Sequence, residues 1–159
     1  MKTYVITLAK TFPAWHPRKG EPTGFLEKFL NGQTCKGNAK LHTIRANYPL
    51  WEKRIKEVQN GNAVLSVRQW SGRPYASKQV EIARLSALDG VGIQRLDIFN
   101  LWGNNRYTVL DDNLLAMFDV NRADLAKNDG LSLYEWLNWF GDYDLSQPLA
   151  IIHFTSFRY

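Results

Sequence analysis

Lys40, Thr43 and Arg45 stand within one short stretch, Gly37–Arg45, that contains no acidic residue. Thr43, Ile44 and Arg45 read as the start of an extended segment, in which alternate side chains share a face, so the hydroxyl and the guanidinium point together. Lys40, on the loop feeding that segment, can fold back to the same side. An ammonium, a hydroxyl and a guanidinium converging in this way suit the reading of an anion or of a carbonyl. Ordinary solvated cations on a loop are the bland alternative.

An amide is cleaved by a nucleophile on its carbonyl, with a base to activate the nucleophile and a donor for the oxyanion. Thr43 could be the nucleophile and Lys40 the base, provided that burial or a neighbouring cation such as Arg45 keeps the amine neutral. His16, His42 and His153 match no metal-ligand spacing, and no Cys or Asp cluster joins them, so neither a metal nor another cofactor is expected. Cys35 is the only cysteine, which leaves no internal disulfide and no thiolate cluster.

The 159 residues carry a net charge of +5, and that charge is uneven. Between Lys36 and Lys78 there are nine Lys or Arg against two Glu, and the remainder has 11 basic against 13 acidic residues. Such a split points to one face meeting an anionic partner, RNA or a nucleotide or nucleoside being the obvious class. Tyr48, Trp51, Trp70 and Tyr75 interleave with Arg45, Arg68 and Arg73 in that span, as stacking platforms do beside cations. Core packing is the competing role for Trp51 and Trp70. The loop Trp15–Gly20, with His16, could close over the motif. An apolar fraction of 45% with no long apolar run fits one domain that does not cross a membrane. Lys10, His16, Arg18 and Lys19 break up any signal-peptide pattern, so the cytoplasm is the expected compartment.

The elements that must position these residues follow from periodicity and caps. Tyr4–Leu8 alternates as a strand, and a loop with Pro13, Pro17 and Pro22 follows. Thr23 is placed to cap a helix with Phe25, Leu26, Phe29 and Leu30 on one face, stopped by Asn31-Gly32. Pro49 opens a second helix that buries Leu50, Trp51, Ile55 and Val58 and ends at Asn60-Gly61. Ala63–Trp70, Gln79–Leu85, Ile93–Leu101 and Tyr107–Leu110 read as strands, the last two joined through Gly103-Asn104-Asn105. Asp111-Asp112-Asn113 could cap a helix over Leu114–Phe118, with another short one over Arg122–Lys127. Ser132 with Glu135 forms a capping box for a helix through Phe140, and Leu149–Phe157 is a closing strand. The class is α+β with a mostly antiparallel sheet or small barrel.

A helix ending in Asn-Gly, then Lys40-x-x-Thr43-x-Arg45, then a strand pair, a late helix and the strand with Ala150-Ile151-Ile152-His153-Phe154, resembles the ASCH domain of the PUA-like superfamily. The resemblance covers most of the chain, as a single domain over 1–159, with 86–127 partly an elaboration. It implies a small, mostly antiparallel β-barrel with flanking helices, similar to RNA-binding modules. The Lys, Thr and Arg are also similar to a branch of small amidohydrolases that remove the acetyl group from N4-acetylcytidine. That branch has a Glu ahead of the late helix; Asp129, one methylene shorter, stands at that position and would orient Lys40 or shuttle a proton. Asn128-Asp129-Gly130 is also what a tight turn needs. Two functions stay open: a module binding RNA or a nucleoside through Lys40, Thr43 and Arg45, and an amidohydrolase using Lys40, Thr43 and Asp129.

Overall fold

The run Leu149-Ala150-Ile151-Ile152-His153 is buried at every position, because it forms the middle of a sheet covered on both faces. In the computed structural model, which describes residues 1–111 and 116–159, this strand pairs antiparallel on both sides. Its neighbours are His42–Arg45, with Thr43 opposite Ile152, and Gly92–Leu101, with Ile93 opposite the same residue. A strand flanked on both edges and both faces has no polar side, so it reads as a continuous apolar run rather than an alternation.

In chain order the elements are β1 (Lys2–Thr7), α1 (Phe25–Gln33), β2 (His42–Arg45), α2 (Tyr48–Gln59), β3 (Ala63–Trp70), β4 (Gln79–Leu85), β5 (Gly92–Leu101), β6 (Asn104–Asp111), β7 (Ala116–Asp119), α3 (Arg122–Asn128), α4 (Leu133–Trp139) and β8 (Leu149–His153). The fold is α+β, with two hydrogen-bonded sheets of order β1-β3-β4 and β2-β8-β5-β6-β7. Among the described residues every strand pairing is antiparallel except β1 with β3. No ladder closes the described strands into one barrel. The parallel pair needs a long crossover, and α1, β2 and α2 fill it.

Helix α2 carries the core-facing stripe expected of Pro49 and its apolar spacing: Tyr48, Trp51, Ile55 and Val58 are buried, and the Asn47 side chain caps Leu50 N at 3.3 Å. Packing that face against β3, β5 and β8 removes Ile55, Val58, Leu65, Leu96 and Ile151 from water, each stabilising by about 1.5–3 kcal/mol. Leu50 faces outward, as do Leu26 and Leu30 of α1; their periodicity continues the apolar stripe past the width that the core covers. In α1 the buried face is Phe25, Phe29 and Gly32. That helix begins after Gly24 in the left-handed region and runs one residue past Gly32. The Thr23 hydroxyl, expected as its cap, donates instead to Ala9 O at 2.7 Å while accepting from Phe25 N.

Ala116–Asp119 is a strand, paired with β6, where a helix over Leu114–Phe118 was expected; cross-strand pairing outweighs a weak local preference. The proposed cap and Leu114 and Leu115 lie largely outside the described residues. The capping box of Ser132 and Glu135 is present, with reciprocal hydrogen bonds of 3.0 and 3.2 Å. No helix among the described residues is long and apolar enough to cross a membrane.

Candidate active site

Lys40 and Asp129 are 89 positions apart in sequence and meet in the interior. The Lys40 ammonium donates to Asp129 Oδ1 at 2.5 Å and to the Asp129 backbone carbonyl at 2.7 Å. It also lies 4.1 Å from the centre of the Phe25 ring, over the ring face. Both residues are nearly inaccessible, at 1% and 3%. The backbone fixes the lysine as firmly as its side chain does: Lys40 N donates to Lys28 O at 2.8 Å and Leu41 N to Asn128 O at 2.7 Å. Gly130, at φ 82°, allows this approach. A Cβ there would sit 3.2 Å from Lys40 Cβ, in a backbone conformation that L side chains rarely adopt. Asp129, although shorter than a Glu, therefore reaches the lysine, and the turn that places it is the C-cap of α3.

Burial sets the electrostatics. Desolvation lowers the Lys40 pKa, and Arg45 and Lys28 push the same way, while Asp129 opposes them. Desolvation raises the Asp129 pKa, against the opposing charges of Lys40 and Arg45. A depressed amine against an elevated acid narrows the gap between them across the 2.5 Å contact. The Trp136 indole N–H has no hydrogen-bond partner of ordinary geometry, yet it lies close enough to the carboxylate to favour its charge.

A cavity of about 410 Å³ opens onto this pair. Thr43, Ile44 and Arg45 of β2 line it, together with Thr7–Ala9 at the end of β1, Trp70 at the end of β3, Phe25 of α1, and Trp139, Phe140 and Tyr143 at and after the end of α4. Both sheets therefore contribute, and the Arg45 guanidinium joins them by donating to the Thr7 carbonyl. That is the one hydrogen bond the guanidinium makes among the described residues, which leaves most of its five N–H donors. Burial lowers the Arg45 pKa, with Tyr143 and Asp129 opposing.

The structure brings Lys40, Thr43, Arg45, Asp129, Trp70 and Tyr75 to one cavity. Tyr75 is 92% exposed and tilts over Trp70 with ring centres 5.2 Å apart. Other expected binding residues lie elsewhere. Tyr48 and Trp51 are core residues of α2, since their helical spacing from Ile55 and Val58 puts them on its buried face. Arg68 donates to Ser66 Oγ at 2.8 Å and approaches Glu81 at 3.9 Å. Arg73 is exposed beside the cavity. His16 is buried, its Nε2 within 2.9 Å of Glu135 O and its Nδ1 accepting from Arg18 N. It packs on Phe12 and holds its loop to α4, while its neighbours Pro13 and Trp15 reach the cavity.

Trp15, on the loop read as able to close over the motif, does line the cavity, but sequence reasoning missed the rest of the aromatic wall, Phe25, Trp139, Phe140 and Tyr143. The density of aromatics from Trp136 to Tyr143 was the available signal. It also missed that His42 and His153 are cross-strand partners with ring centres 5.6 Å apart. His42 Nε2 pairs with Tyr159 OH at 2.6 Å and His153 Nε2 with Gln94 Oε1 at 2.9 Å. Among the described residues, no group of three or more His, Cys, Asp or Glu is arranged to hold a metal ion.

No protein-family model, curated protein or solved structure matches the chain.

Proposed function

We propose that the protein is an amidohydrolase that takes an acylated nucleoside of the N4-acetylcytidine kind into this cavity. The reading is carried by one observation: a buried Lys40–Asp129 pair faces a cavity that Thr43 and Arg45 also line. It is also the reading to which the Lys40-x-x-Thr43-x-Arg45 resemblance leads, within an ASCH-type, PUA-like architecture. A planar base finds faces to stack on in Trp70 and Trp139.

In the proposed reaction the neutral Lys40 amine takes the Thr43 hydroxyl proton as Oγ attacks the acyl carbonyl. Free N–H groups of Arg45 hold the oxyanion. As the carbon–nitrogen bond breaks, the proton passes from the Lys40–Asp129 pair to the leaving amine. Water then cleaves the acyl-threonine ester, with the same pair as base, and releases the carboxylic acid.

An RNA-binding face is the second reading, favoured by the basic span Lys36–Lys78. It has less support, because Tyr48 and Trp51 are buried and Arg68 lies beside Glu81. The decisive test is to incubate the protein with N4-acetylcytidine and look chromatographically for cytidine. Cytidine well above the Thr43→Ala background is expected; none above it would sink the hydrolase.

A further inference from the structure

The cavity does not end at its aromatic wall. A second cavity of about 400 Å³ shares Ala9, Trp70 and Pro74 with the first and extends past them to Lys10, Thr11, Gly72 and Arg73. The two are adjoining lobes that share these three residues as a common wall.

The charge of the second lobe differs from that of the first. No carboxylate lines it, while Lys10 and Arg73 do. Lys10 Nζ donates to Ser71 O at 3.2 Å, which is a neutral partner. Neither Lys10 nor Arg73 has an acidic partner among the described residues, and Arg45 in the first lobe forms no ion pair there, although it feels the charge of Asp129. Counting both lobes, four cations (Lys10, Lys40, Arg45 and Arg73) face one carboxylate, Asp129, and Lys40 already engages it. Arg45 sits beside the reacting pair, and the remaining excess positive charge, on Lys10 and Arg73, lies on the side away from it. An uncharged nucleoside has nothing to offer it.

We infer that the ligand is a nucleotide rather than a free nucleoside, with its base in the aromatic lobe and its phosphate between Lys10 and Arg73. This rests on the proposed function for the base-holding lobe and adds the substrate class. The arrangement divides the work. Stacking orients the base toward Thr43, while two cations on separate loops of the neighbouring lobe take the phosphate. The loop of Arg73 also carries Tyr75, which lies over Trp70, so phosphate capture and the covering of the base fall to one segment.

The test measures binding and turnover together. Calorimetry with cytidine and with cytidine 5′-monophosphate is expected to give the nucleotide at least about tenfold tighter binding at low salt, with the advantage shrinking as salt rises. In Arg73→Ala and in Lys10→Ala the ratio of the two affinities is expected to fall toward one. Equal affinity in the wild-type protein, or no binding of either, overturns the inference. Tighter binding of oligocytidylate than of the monophosphate would assign the phosphate to an RNA chain and overturn the mononucleotide. Turnover of N4-acetylcytidine and its 5′-monophosphate is measured in parallel. Preferential nucleotide binding without any deacetylation would refute the hydrolase and leave the phosphate lobe standing. Deacetylation with equal kcat/KM for both compounds would do the reverse.

Discussion

Asp129 receives Lys40 twice, once through its carboxylate at 2.5 Å and once through its backbone carbonyl at 2.7 Å. The second contact survives any change of the Asp129 side chain. The first does not, and this separates the positioning of the lysine from control of its charge.

Removing one partner of the pair should therefore be costly. Lys40→Ala leaves a carboxylate in the interior without its cation, and a loss of about 3–5 kcal/mol is expected by chemical denaturation. The double change Lys40→Met with Asp129→Leu should cost clearly less than the sum of its parts, since the buried charges disappear together. Additive losses would show that the two do not interact as drawn.

Thr43→Ala is the cleaner probe of chemistry, because it removes only the hydroxyl and one methyl of a buried side chain. Deacetylation should fall by several orders of magnitude with a stability change of about 1 kcal/mol. Lys40→Arg should be as inactive, since a guanidinium does not give up its proton at usable pH. Combining either with the other should add little, because base and nucleophile act as a unit. Substantial turnover by Thr43→Ala would assign the nucleophile to another group, such as water.

The pH dependence follows from the direction of the Lys40 shift. Burial and the Arg45 and Lys28 charges lower its pKa, and only the neutral amine accepts a proton. The rate should rise with pH through that depressed value and then level off, below the range in which an exposed lysine titrates. Asp129→Asn removes the main group opposing the shift, so the rising limb should move to lower pH. A limb that stays in place would mean that another group titrates.

Acid stability tests a different site. The buried His153 titrates near 3 in the fold against an ordinary value of 6.5. Between these values the unfolded chain binds the proton and the native state does not. Stability should therefore fall as pH drops below about 6.5, by an amount on the order of 4 kcal/mol by pH 3 from this group. His153→Phe should flatten that part of the curve. Gln94 Oε1, which loses the histidine, still accepts from Tyr159 N at 3.0 Å. An unchanged acid slope in that variant would move the effect to His42, whose pKa burial also lowers.

Local signals were legible where one residue type has one structural consequence. Pro49 and the spacing of Trp51, Ile55 and Val58 mark α2, Ser132 with Glu135 marks the start of α4, and the Gly103 turn joins β5 to β6. Lys40, Thr43 and Arg45 were visible because they lie within one turn of chain. The parallel pairing of β1 with β3 was not visible, since alternation describes a strand's faces and says nothing of its neighbours. The burial of Trp51 followed from its spacing with Ile55 and Val58, whereas that of Tyr48 was not separable from stacking by composition alone. Pocket walls are assembled from residues that share no sequence neighbourhood: Phe25, Trp70 and Trp139 meet only because α1, β3 and α4 converge.

The order in which the chain is made has its own consequence. β8 lies between β2 and β5 yet follows both in sequence, and Asp129 arrives 89 positions after the lysine it neutralises. During synthesis the chain as far as β5 must wait with an unfilled slot in its larger sheet and with Lys40 lacking its counter-ion. Contacts of such long range slow folding, and an interrupted product ending before residue 149 would expose the edges of β2 and β5 to other chains. Adding β8 is thus the step that fills the slot and covers the facing edges of β2 and β5.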